Sequence, residues 1–80
     1  MNENTEVLFS QNNKRISEIK QVLKEVSLCL EELDYNPIRQ IAGYLQSGDI
    51  TYISSYKDCR SKLAKYNRSE ILETILRDFL

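Results

Sequence analysis

The sequence predicts an all-α protein: a compact bundle of four to five short helices with a flexible N-terminal arm, forming a homodimer. Three observations carry the helical reading. Apolar residues recur at three- and four-residue steps over most of the 80-residue chain. The only proline and both glycines fall within residues 35–49, so the backbone is punctuated there and almost nowhere else. The one β-branched and aromatic run, residues 50–53, is four residues long and has no second strand to pair with.

Residues 1–13 are rich in Asn, Glu, Gln, Ser and Thr and carry one small apolar group, Val7, Leu8 and Phe9. That composition predicts a mobile arm, followed by a single helical domain over residues 14–80. The first helix runs over about residues 14–33, with Ile16, Ile19, Val22, Leu23, Val26, Cys29, Leu30 and Leu33 on one face and charges on the other. A second, over about residues 37–47, has clear ends. Asn36 is a good N-cap, Pro37 at the first position gives up only an N–H without an intrahelical partner, and Gly48 is a natural left-handed stop. Residues 50–53 read as an irregular link, a single helical turn being the alternative. Ser55 then offers an N-cap with Asp58 three residues on, opening a helix to about residue 65. Asn67 with Glu70 caps a last helix that carries Ile71, Leu72, Ile75, Leu76, Phe79 and Leu80.

Composition narrows the function. Eleven basic and twelve acidic residues give a net charge of −1, against the basic excess of a general nucleic-acid binder. There is no histidine, which removes the usual general base, the histidine triads and most zinc sites. Gly43 and Gly48 do not make a phosphate loop, and Glu31–Glu32 reads as a solvated charged face. An enzyme, a bound metal and a cofactor are therefore not expected. No apolar run approaches a membrane span and the N-terminus lacks a signal pattern, so a cytoplasmic protein is expected. Cys29 and Cys59, without a CxxC spacing, read as buried free thiols. A core this small leaves apolar stripes to cover, which is why pairing of chains is expected. Tyr35, Ile38, Ile41, Tyr44 and Leu45 are the candidate core or dimer contacts.

Tyr35-Asn36-Pro37-Ile38, Gln40-Ile41, Gly43-Tyr44-Leu45 and Ser47-Gly48-Asp49 resemble the signature of the IreB/ReoM family, small regulatory phosphoproteins of Gram-positive bacteria (Firmicutes). Tyr52-Ile53, Lys57-Asp58 and Arg60 continue the pattern in register, and Lys65, Arg68, Glu70-Ile71, Glu73 and Leu80 match the family's closing segment. The chain departs from the pattern in four places. Asp34 stands for the glycine before Tyr35, Ile50 and Ser54 for two prolines, and Ser55 for an arginine.

The resemblance implies an all-helical homodimer whose N-terminal threonine is phosphorylated by a membrane Ser/Thr kinase with PASTA repeats and dephosphorylated by a cognate phosphatase. It further implies that the unmodified form promotes degradation, by the Clp protease machinery, of the UDP-N-acetylglucosamine enolpyruvyl transferase that begins peptidoglycan synthesis. Phosphorylation relieves that brake, which ties the family to cell-wall homeostasis and β-lactam tolerance. Thr5, the only threonine of the arm, is then the expected phosphoacceptor, with Ser10 a weaker alternative. Lys57, Arg60, Lys65 and Arg68 are the expected partner-binding cations, Arg60 foremost because its fork grips carboxylate or phosphate in two places. The competing classes are a small helix-turn-helix DNA binder built on residues 37–47 and 56–66, and a purely structural dimeric subunit.

Overall fold

The structure, a computed structural model, describes the backbone from Glu3 and side chains over residues 13–80. Of the arm assigned to residues 1–13, residues 1–12, with Thr5 and Ser10, lie outside the residues whose side chains are described; the first helix, expected from about residue 14, begins at Glu3. Four α-helices, α1 (Glu3–Glu32), α2 (Pro37–Ser47), α3 (Cys59–Ala64) and α4 (Arg68–Phe79), are joined through two 3₁₀ turns, Ile50–Tyr52 and Tyr56–Asp58. No strand occurs among the described residues.

Helix α1 is the spine on which the others pack. Ile19, Val26, Cys29 and Leu30 recur on one face of it and are buried together with Tyr44, Ile53, Cys59, Leu63 and Ile71. Helix α3 makes the most extensive contact with α1, and α2 and α4 pack on α1 as well. Among the described residues Thr74 is the one buried polar residue; its hydroxyl donates to Glu70 O one turn back, at 2.8 Å, so its burial leaves no unpaired group.

The ends of α2 follow from the sequence. The Asn36 side chain accepts from the Arg39 N–H at 3.2 Å, and Gly48 at φ 77° sends its N–H back to Tyr44 O at 2.7 Å. Gly43 is required for a different reason. A Cβ there would lie 2.5 Å from the Tyr52 ring, so only glycine lets that ring lie against α2.

Two local expectations are corrected. Residues 50–53 are not irregular. Asp49 Oδ1 accepts from the Thr51 N–H at 3.0 Å and the Thr51 hydroxyl at 2.6 Å, nucleating a 3₁₀ turn that drives Ile53 fully into the core. Ser55 does not cap a continuous third helix. Its side chain makes no capping bond, and Lys57 and Asp58 are both left-handed, at φ 53° and 60°, which breaks the chain between the second 3₁₀ turn and α3. The connection between α2 and α3 therefore occupies residues 48–58, unlike the short turn of a helix-turn-helix.

Candidate functional site

Two surfaces stand out, a polar cavity around Arg60 and an apolar groove beside α2. The cavity, about 180 Å³, sits where the α1–α2 corner meets the residue 50–55 link. Tyr35 and Gln40 line it from the α2 side, Thr51 and Tyr52 from the first 3₁₀ turn, and Ser54, Ser55 and Arg60 from beyond. Arg60 holds that link in shape. Its Nε donates to Ile53 O at 2.8 Å and its backbone N–H to Ser54 O at 3.0 Å. Gln40 Nε2 donates to Tyr52 O at 3.0 Å, tying α2 to the same link. Asp49 is held below the usual carboxylate range, chiefly by the hydroxyl and N–H of Thr51, with the charge of Arg60 adding to the effect.

The other predicted cations turn to different neighbours. Lys57 Nζ lies 3.1 Å from Glu32 at the end of α1, a pairing that raises its pKa. Arg68 Nη1 donates to Leu45 O at 3.1 Å, and its guanidinium rests against Gly48, placing a cation at the negative end of α2. Lys65 is exposed just past α3. Of the four, Arg60 is the one that faces a cavity.

The apolar groove, about 370 Å³, is walled by Leu23 and Ser27 of α1, by Pro37, Ile38, Ile41 and Leu45 of α2, and by Ile75 of α4. The five residues marked as core or dimer contact divide between interior and surface. Tyr44 is buried, Ile41 and Leu45 are half-buried against the core, and Tyr35 and Ile38 are exposed, Ile38 at 80%.

Sequence reasoning missed three arrangements. Cys29 and Cys59 are both buried free thiols, but they are neighbours in space, each facing a carbonyl: Cys29 Sγ to Tyr56 O at 3.4 Å, Cys59 Sγ to Glu25 O at 3.8 Å. Burial and the adjacent thiol push Cys59 up to about 11, so it is protonated and inert at neutral pH. Arg15 grips Glu70 through two nitrogens, Nη2 to Oε1 at 2.9 Å, and stacks over the Tyr66 ring at 4.9 Å, clamping α1 to the start of α4. The hydroxyls around Arg60 carried no motif. Only the left-handed break and the 3₁₀ turns bring Thr51, Ser54 and Ser55 to it.

Comparison with known proteins gives one consistent result. A family model described as IreB regulatory phosphoprotein matches residues 3–80. A UPF0297 protein of Acetivibrio thermocellus is 42% identical over 80 residues, covering 100% of this chain and 89% of its own length. A UPF0297 protein of Ruminiclostridium cellulolyticum is 42% identical over 77 residues, covering 96% of this chain and 88% of its own. With a match spanning almost the whole sequence and an α2 segment capped as its letters require, the chain belongs to the IreB regulatory phosphoprotein family.

Proposed function

We propose that this chain is a non-enzymatic phospho-switch of cell-wall synthesis, working in the cytoplasm as a homodimer. Thr5 receives phosphate from a PASTA-type Ser/Thr kinase and loses it to the cognate phosphatase. Unmodified, the protein promotes Clp-protease degradation of the UDP-N-acetylglucosamine enolpyruvyl transferase; phosphorylation relieves that brake and favours antibiotic tolerance. The observation that supports the reading is the family match over residues 3–80, whose description is that of a regulatory phosphoprotein. Charge gives the mechanism. Phosphate adds about −1.5 to −2 at neutral pH, a large change on a chain of net charge −1. The groove beside α2 supports the homodimer, because it leaves Ile38 and its neighbours in water in a single chain.

The deciding experiment treats wild-type and Thr5→Ala protein with the kinase and measures intact mass. Wild type is expected to gain one phosphate and Thr5→Ala none. A full phosphate on Thr5→Ala sinks the assignment of Thr5. In cells, Thr5→Ala is expected to lower enolpyruvyl transferase levels by locking the brake on, and an unchanged level would remove the proposed target.

A further inference from the structure

Arg60 combines two features: its guanidinium is anchored at the wall of a cavity, and it carries no ion pair among the described residues. Lys20, Lys57, Lys62 and Arg15 each lie within ion-pairing distance of a carboxylate, whereas Arg60 has none among the described residues. Its Nε is committed to Ile53 O, which fixes the plane of the guanidinium and leaves both Nη groups to donate elsewhere. A half-buried, oriented and unpaired fork is a receptor for an oxyanion, because little side-chain entropy remains to be lost on binding.

The lining supplies further donors. Ser54 Oγ accepts from the Tyr56 N–H at 3.1 Å, so its own proton is left to donate. Ser55 makes no capping bond and lines the cavity at its exposed edge, as does the half-exposed Tyr35. At about 180 Å³ the cavity falls below the range of roughly 300–1,000 Å³ typical of small-molecule sites, so it suits one anionic group and not a nucleotide. A fork plus separate hydroxyls matches the three oxygens of a phosphate ester better than the two of a carboxylate, and the exposed edge leaves room for the ester's carrier outside.

We propose that this cavity binds the phosphate of a phosphothreonine side chain, gripped by the Arg60 fork and the hydroxyls of Ser54 and Ser55. The proposal rests on the reading of the chain as a phosphoprotein, which puts phosphothreonine within reach. It adds the receptor for that group. Bound there, the phosphate bridges the residue 50–55 link and α3, the segment that Arg60 already ties together, so modification is felt where Ile53 enters the core.

The test is an NMR titration of the full, unphosphorylated chain with a synthetic peptide of residues 1–13 carrying phosphate on Thr5, with the plain peptide, and with inorganic phosphate. The phosphopeptide is expected to shift the Arg60 Nε–Hε and Ser55 amide signals saturably, and the plain peptide to leave them in place. Arg60→Lys is expected to weaken the phosphopeptide roughly tenfold, as loss of one charge-assisted bond implies. Ser55→Ala, whose side chain caps nothing, is expected to weaken it several-fold with an unchanged helical spectrum. Equal binding of both peptides, or an unchanged affinity in Ser55→Ala and Arg60→Lys, overturns the proposal. So does inorganic phosphate binding as tightly as the phosphopeptide, which assigns the cavity to free phosphate. Because the peptide is made with its phosphate in place, a kinase that ignores Thr5 would fail the proposed function and leave this result untouched.

Discussion

Asp34 sits at φ 64°, just past the end of α1, and the bonds around it define its task. Its N–H returns to Glu31 O at 3.0 Å and the Tyr35 N–H to Leu30 O at 2.9 Å, the paired closure of a helix that ends on a left-handed residue. That position favours glycine, which has no Cβ to clash there. Asp carries a Cβ penalty of about 1 kcal/mol in this conformation and puts a negative charge at the negative end of a helix. Asp34→Gly is therefore expected to stabilise the fold by about 1 kcal/mol, raising the melting temperature by roughly 4–8 °C for a domain of this size. Thermal unfolding followed by circular dichroism measures it, and a lowered melting temperature would show that the Asp side chain makes a compensating contact. The same geometry explains what the letters concealed about Lys57 and Asp58. Two consecutive left-handed residues without glycine have no sequence signature, so the break before α3 was illegible.

The helices whose ends are set by side-chain chemistry were the legible ones. Asn36-Pro37 with Gly48 bounded α2, and Asn67 with Glu70 opened α4, where the Asn67 side chain accepts from the Glu70 N–H at 2.8 Å and Glu70 accepts in return from the Asn67 N–H. The start of helix α3 and the link before it were not, because their shape depends on Arg60 reaching Ile53 O and on Ile53 finding the core, both non-local. The candidate site shares that fate: Arg60 could be singled out from its residue type, but its cavity exists only once the link has folded. Glu70 also joins elements, since its carboxylate takes the Arg15 fork while capping α4. The bond to Arg15 is the main reason its pKa is lowered, as Lys20 lowers that of Asp78. A carboxylate with a depressed folded pKa contributes stability above its unfolded pKa, about 4.3 for Glu, and loses it as pH falls through the folded value. Stability is thus expected to decline below about pH 4, and Glu70→Gln to flatten the decline while keeping the cap, which Gln also forms. Urea unfolding at a series of acidic pH values tests this, and an identical acid limb in the variant would move the titrating group elsewhere.

Across the whole molecule the balance of buried and exposed apolar groups bears on the proposed homodimer. Among the described residues nine apolar side chains form the buried core, while eleven large ones remain exposed. Ile38 and Ile75 border the groove between α1, α2 and α4, and Phe79, 84% exposed, lines the adjoining hollow with Ile75 and Leu23. A contiguous patch of this kind on a monomer is a liability that pairing removes, and a two-fold dimer uses the same patch on both copies. Ile38 is the sharpest probe, because its side chain contributes little to the core and its replacement leaves the fold's interior untouched. Wild type is expected to sediment as a dimer at tens of micromolar and Ile38→Glu as a monomer with an unchanged helical spectrum. A carboxylate on each copy at the centre of the contact is desolvated and unpaired, a cost large enough to dissociate an interface between chains this small. If Ile38→Glu remains dimeric while Phe79→Glu does not, the contact lies along the far end of α4. A wild type that sediments as a monomer at every concentration would mean that these apolar residues serve a different partner.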